Sequence, residues 1–310
     1  MKEHSSELIK IASMYYEEGL TQAEIARQRG VSRPLISKYL NDARKEGIVE
    51  IRINTASNYT VGLERKLENK YGLKNAIVVD TLNLTENEIR RTVSQQAADY
   101  LSQHIHRYKT IGISWGKTLK RLVDNFPYIN SQDTTIIPLV GGLSDDLFEI
   151  QSNQLANDLA RKIRGRAKYI YAPGFINNSL IHNELLNNDA IQSVLNDGEN
   201  VEFTLMGLST LDLEDNMRRI GYINDEDIEI LREQKAVGVM NSRFFDQEGE
   251  ELKNEINANV IGLELDKIRK LPNVMTIVLG DQKTEALRIA LQTNLINIIV
   301  TTNTIAEKLL

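Results

Sequence analysis

The 310-residue chain has no cysteine, which excludes disulfides, thiolate metal sites and cysteine nucleophiles together. Histidine is nearly as scarce. His4, His104, His106 and His182 are its four copies, and they fall into no HExxH or other paired metal spacing. His104 and His106, at the end of a helical stretch, read as surface residues. No serine sits in a nucleophile elbow. Glu264, Asp266 and Asp281 offer carboxylates for acid–base chemistry, but no spacing pairs them. The expectation is therefore no catalytic residue, no metal and no cofactor. Every apolar run falls short of the roughly 20 residues that a membrane helix needs, and residues 1–7 hold no signal-peptide core. A soluble, cytoplasmic protein without a membrane partner is expected.

What the chain does have, first, is a dense set of start and stop signals between residues 20 and 47. Thr21 with Glu24 three residues on makes a capping box, Gly30 suits a left-handed turn, and Ser32 before Arg33 and Pro34 opens a further helix. Two short helices around a glycine turn, followed by a wing at 47–53, predict a winged helix-turn-helix over residues 1–54. On its last helix Leu35, Ile36, Tyr39, Leu40 and Ala43 recur at helical spacing and form the packing face. Arg33, Ser37, Lys38, Asn41, Arg44 and Lys45 lie elsewhere.

Residues 27–45 carry six basic side chains and one acidic one, in a chain of net charge −6. A basic stripe on an acidic protein is the electrostatic footprint of duplex binding. The bland alternative is a surface bundle of three helices with a solvated charged face. Arg33, Ser37 and Lys38 are assigned to base edges, with Ser32 and Pro34 beside them at the helix start, and Thr21, Gln22, Arg44 and Lys45 to phosphates.

The length fits a small reader plus a larger domain. Residues 55–62, small and polar, make the expected linker, and 63–310 the second domain, opening with a charged helix at 63–71. Strand candidates at 76–80, 110–114, 134–139, 167–171, 201–207, 237–240, 274–280 and 297–301 then alternate with helical stretches at 86–105, 153–164, 225–234, 284–292 and 304–310. This alternation predicts an α/β domain with a Rossmann-like, doubly wound parallel sheet, whose ligand lies beyond the carboxyl ends of the strands.

Residues just after the strands therefore carry the most weight. Gly112, Ser114, Trp115, Gly116, Lys117 and Thr118 end one strand and open a helix, which makes an anion cradle. Residues 116–118 resemble the end of a phosphate loop, but Ile111 stands where its first glycine belongs, which argues against a nucleotide triphosphatase. Gly141, Gly142, Leu143 and Ser144 follow the next strand, with Asn153 starting a helix; they read as amides near a ligand or as a plain tight turn. Gly207 follows another strand, and Arg243 offers an anion clamp near Phe245 and Asp246. Lys283 is a second lysine between strand and helix. Two cations and several glycine turns suit a small phosphorylated ligand, against the ordinary alternative of solvent-exposed charges.

Taken in order, these motifs resemble the SorC family of bacterial sugar-responsive transcription regulators, whose deoxyribonucleoside-responsive members are also called DeoR-type. The resemblance rests on Tyr15 and Tyr16, residues 20–26, 31–33, 36–40 and 47–49, and, further on, residues 112–118, Gly141 and Gly142, 236–238, 242–246, 261–263 and 296–301. It implies a winged helix-turn-helix joined to an effector domain of the sugar-phosphate isomerase and CoA-transferase type, usually as a homotetramer. A phosphorylated sugar then tunes binding to double-stranded operator DNA of a carbohydrate catabolic operon. By position it implies effector contacts at residues 112–118, 141–144, Asn153, residues 243–246, Glu264 and Lys283. Val140 replaces a lysine of some relatives, which removes a Schiff base there and leaves non-covalent binding. Asp281 stands where a second glycine is common, and Thr302 where aspartate is frequent. Two other readings compete: an isomerase- or deaminase-like enzyme with an accessory DNA-binding arm, and an architectural DNA-binding protein with a degenerate pocket.

Overall fold

A computed structural model describes residues 2–49, 58–143, 145–211, 215–219 and 221–310. The chain forms two compact units, Met1–Asn58 and Tyr59–Leu310.

The first unit holds α1 (Lys2–Tyr16), α2 (Gln22–Arg29) and α3 (Arg33–Lys45). The capping box closes at the start of α2: the Thr21 amide donates to Glu24 Oε2 at 2.8 Å, and the Glu24 amide donates to Thr21 Oγ1 at 3.3 Å. Hydrogen bonding from the Thr21 side chain, then its backbone, holds the Glu24 carboxyl below its ordinary value. Gly30 ends α2 at φ 68°, the left-handed region that glycine takes without strain. Ser32 stands at the N-cap of α3 in extended conformation, but its side chain caps nothing. Ile36 and Leu40 pack on Ile11, Ile25 and Ala26, and Ala43 on Leu8 and Ala12. Burial of each such isoleucine or leucine contributes about 1.5–3 kcal/mol. Leu35 and Tyr39, expected on this face, are only partly buried. Of the expected wing, Ile48 and Val49 pack on the α1–α3 cluster; residues 50–53, and linker residues 55–57, lie outside the described residues.

The second unit opens with α4 (Asn58–Tyr71), so residues 58–62 are helical rather than linker. Thr60 is buried along with Leu63 and Leu67 one and two turns on, which extends the packing face toward the helix start. The strands follow as β1 (Asn75–Val79), β2 (Thr110–Ile113), β3 (Thr135–Pro138), β4 (Arg166–Ala167), β5 (Phe203–Met206), β6 (Gly238–Met240), β7 (Arg243–Phe245), β8 (Val274–Ile277) and β9 (Ile298–Thr302). Seven of them make one parallel sheet in the order β1-β9-β8-β5-β2-β3-β4. Of the stretch expected as a strand at 167–171, only Ala167 lies in one, the two-residue edge strand β4.

β6 corrects a further expectation. It turns back at Asn241 (φ 50°) and Ser242 (φ 66°) to pair antiparallel with β7, outside the main sheet. Two consecutive left-handed residues are what a tight hairpin turn matching strand twist requires.

Both faces of the sheet are covered, which is why its strands read as apolar runs rather than alternating ones. On one face α5 (Glu86–His104), α6 (Lys117–Asn125) and α7 (Ser152–Ile163) bury Leu101, Leu122 and Leu159 against Ile111, Ile113, Phe203 and Val300. On the other, α4, α9 (Asp189–Gly198), α13 (Leu265–Ile268), α14 (Thr284–Gln292) and α15 (Asn303–Leu309) cover Ile137, Met206, Val274 and Ile299. A third cluster joins Trp115 and Val140, from the loops after β2 and β3, to Val239 and Phe244 of the hairpin, Met217 of α10 (Asp215–Arg219), Leu231 of α11 (Asp225–Glu233) and Ile256 of α12 (Glu255–Ala258).

The last helix is gripped at its carboxyl end. Lys70 Nζ donates to the carbonyls of Leu309 (2.7 Å) and Leu310 (2.9 Å), the Tyr71 hydroxyl donates to Leu309 O (2.8 Å), and Arg288 Nη2 donates to Lys308 O (2.6 Å).

Candidate functional site

From β2 the chain builds outward through β3 and β4, then returns to lay β5 on the opposite side of β2. This reversal opens a crevice between the helices leaving neighbouring strands, the usual ligand position of such sheets. A cavity of about 840 Å³ lies there, lined from the ends of five strands: Thr81 after β1, residues 114–118 after β2, 207–209 after β5, 279–283 after β8, and Thr302 and Thr304 at β9. Its size suits a small molecule.

The β2 loop presents groups that suit an anion. Gly116 adopts φ 129° and ψ 159°, a conformation that disfavours any side chain, although a Cβ there would meet nothing within 4 Å. Its amide donates to Ile150 O, and α6 then starts at Lys117 without a side-chain cap. First-turn amides at a helix start have no acceptor within their own helix and carry partial positive charge. Lys117 and Arg121, one turn apart, both line the cavity, as do Lys283 and Arg90. Lys283 Nζ donates to Leu208 O at 2.8 Å, and Arg90 pairs with Glu86 at 3.1 Å.

The hairpin braces this loop from behind. Ser114 Oγ donates to Asn241 Oδ1 (2.9 Å), Trp115 Nε1 donates to Ser242 Oγ (2.8 Å), and Asn241 Nδ2 donates to the carbonyls of Leu139 and Leu263, each at 3.0 Å. The buried Asn241 side chain thus ties three loops to the cavity wall.

Of the effector residues expected from sequence, the cavity brings together Ser114, Trp115, Gly116, Lys117, Thr118, Gly207 and Lys283. The others lie elsewhere. A Cβ on Gly112 would sit 2.9 Å from the Leu139 side chain, so that glycine serves sheet packing. The amides of Gly141 and Gly142 donate to Ile261 O and Ala172 O, and Leu143 N donates to Gln151 Oε1 at 3.4 Å, so none of these points at the cavity. Tyr222 donates to Gly142 O at 2.9 Å, and burial pushes its phenol up to about 12. Ser144 lies outside the described residues. Asn153 exchanges two hydrogen bonds with the backbone of Ile170.

Arg243 does not line this cavity, and its guanidinium is engaged within the protein. Its side chain is 8 % exposed, and the guanidinium donates to Glu251 Oε1 (2.5 Å) and to the carbonyls of Asn257, Val260 and Gly262. Phe245 is fully buried, and Asp246 accepts from the amides of Glu248 and Glu250 in a turn. Glu264 lines, with Arg243, a separate cavity of about 580 Å³. Sequence reasoning missed Arg121, Arg90, Asn241, Thr81 and Thr304. Helical spacing from Lys117 pointed to Arg121, and the strand-end rule to Thr81 and Thr304.

In the first unit Arg33 and Lys38 are exposed along α3, Ser37 and Gln22 are partly buried, and Pro34 and Lys45 are exposed. Thr21 spends its hydroxyl on Glu24. Arg29 and Arg44 are engaged within the protein: Arg29 holds Glu7 through Nε and Nη2 at 2.6–3.1 Å, and Arg44 donates to the Tyr16 hydroxyl at 2.7 and 2.9 Å.

Residues 57–310 match the family described as "Putative sugar-binding domain", and residues 12–50 match a winged helix-turn-helix DNA-binding family. The chain is 29% identical to the sorbitol operon regulator of Klebsiella pneumoniae, over 98% of its length and 97% of that protein's. It belongs to the SorC family. The solved full-length structure of the Klebsiella regulator superposes with a TM-score of 0.77, covering 97% of both chains. A DeoR family transcriptional regulator from Listeria monocytogenes, 44% identical, gives 0.78 over 82% of this chain and all of that one. The deoxyribonucleoside regulator of Bacillus subtilis is 27% identical over 94% of this chain and 93% of its own. A member of this family is a sugar-responsive, DNA-binding transcription regulator, and its relatives are named as regulators rather than enzymes. No helix among the described residues is long and apolar enough to cross a membrane.

Proposed function

We propose that residues 1–54 read operator DNA of a carbohydrate catabolic operon, and that residues 63–310 sense a small phosphorylated sugar or polyol bound non-covalently in the strand-end cavity. The observation that carries this reading is the uncapped start of α6 on the cavity wall, with Lys117 and Arg121 lining the same cavity. Val140, buried in the neighbouring wall cluster, offers no amine for a covalent adduct. In this reading the protein acts as a switch without catalysis, as a cytoplasmic homotetramer. Effector contacts must then differ between two conformations, since a ligand that binds both equally shifts nothing.

The test is a gel shift at fixed salt with DNA from upstream of the protein's own gene, with and without a panel of sugar phosphates. A specific shift changed by one compound supports the reading. Specific binding indifferent to every compound removes the phosphorylated effector, and turnover of a compound favours an enzyme.

A further inference from the structure

The cavity is not uniformly cationic. Along the carboxyl edge of the sheet, Lys117 and Arg121 belong to the β2 end, whereas Asp281 follows β8 and stands with Thr302 and Thr304 of the β9 end. Two to three strand spacings separate these ends, roughly 10–14 Å.

Asp281 is lightly engaged for a carboxylate. Oδ2 accepts from Lys308 Nζ at 2.7 Å and Oδ1 from Thr304 Oγ1 at a long 3.4 Å, while the Asp281 side chain stays 53 % exposed. An ionised carboxylate has about four acceptor positions, so about half of its capacity faces open space. Thr302 Oγ1 lies 2.9 Å from Thr304 Oγ1, which places two hydroxyls beside the carboxylate. Paired with Lys308, the carboxylate leaves this end without the net positive charge of the α6 end, and its open acceptor positions suit hydroxyl donors; a hydrogen bond to an ionised acceptor is roughly twice as strong as a neutral one.

We infer that Asp281 determines the specificity of this cavity by accepting hydrogen bonds from hydroxyls of the effector's carbon chain while the phosphate lies at the α6 end. The inference rests on the phosphorylated effector proposed above and adds its class: an open-chain polyhydroxy phosphate long enough for its distal hydroxyls to reach the β8 and β9 strand ends. Compact anions fill only the α6 end.

Calorimetric titration of the full chain with inorganic phosphate and with glucitol 6-phosphate tests this. The unaltered protein binds glucitol 6-phosphate more tightly. Asp281→Ala weakens glucitol 6-phosphate about tenfold, the scale of one charge-assisted hydrogen bond, and leaves inorganic phosphate unchanged or tighter, because a nearby anion is gone. Asp281→Asn, of the same shape, weakens glucitol 6-phosphate several-fold. Equal weakening of both ligands assigns Asp281 a structural role and overturns the inference, as does an unchanged ratio. If the unaltered protein binds inorganic phosphate but glucitol 6-phosphate no better, the inference fails while the anion site stands. Binding of neither overturns the proposed effector as well.

Discussion

The loops after β2 and β3 are both glycine-bearing turns that lead toward a helix, yet they do opposite things. After β2, Gly116 takes a backbone conformation suited to glycine, and α6 starts uncapped on a cavity. After β3, the amides of Gly141 and Gly142 donate to carbonyls of the protein itself, and Gly142 O accepts from both Gly174 N and the Tyr222 hydroxyl. A Cβ on Gly141 would sit 2.5 Å from Pro173 O. One glycine is required by its own dihedral angles and the other by a neighbouring backbone. What sets the β2 loop apart is therefore the uncapped start of α6, not the glycines.

The sharpest test of this contrast is Gly141→Ala, whose overlap is with backbone and has nowhere to go. It should cost about 4 kcal/mol or more and abolish cooperative folding, whereas Gly116→Ala should cost about 1–3 kcal/mol of conformational strain. Equal costs in urea unfolding would break the distinction. Next comes Arg243→Met, which strands Glu251 and three carbonyls. A loss of about 3–5 kcal/mol is expected, with phosphate affinity of the remaining folded protein within about twofold, since a larger change would restore Arg243 as a ligand. Lys117→Ala should invert that pattern, with stability within about 0.5 kcal/mol and affinity for inorganic phosphate about tenfold weaker by calorimetry.

The reader unit supplies two smaller effects. Arg33→Ala should weaken specific operator binding by about 1–3 kcal/mol while leaving phosphate binding intact. Normal operator affinity in that variant would remove α3 as the recognition helix. Smallest is a difference in salt dependence. Lys45→Ala should lower the slope of log affinity against log salt by about one, and Arg29→Ala by less, because Glu7 already neutralises that guanidinium.

What was legible in the sequence was local. The capping box at Thr21, the left-handed Gly30, the helix at 284–292 and most strands depend on neighbours a few residues away, and the structure places them accordingly. The hairpin was not legible, because Asn241 and Ser242 lack the Asn-Gly signature of a tight turn, and residues 237–240 alone read as a buried parallel strand. Arg243 advertises a charge, but the carbonyls that consume it come from residues 14 to 19 positions later. Helices α8 (Ser179–Leu186) and α9 were missed although Asn178 and Asn188 cap them and, in α9, Ile191, Val194 and Leu195 recur at helical spacing. The cavity itself joins five strand ends, and only the fold decides which of them face one another.

The grip on α15 has a mechanical consequence. This seven-residue helix is about 10 Å long. Thr304 near its start is part of the cavity wall, and the carbonyls at its end are held by Lys70 and Tyr71 of α4, the helix through which the chain enters the second unit. So short a rod does not compress or bend appreciably. Thr304 in the cavity wall and the carboxyl end of α4 are therefore joined by a stiff link only two helical turns long.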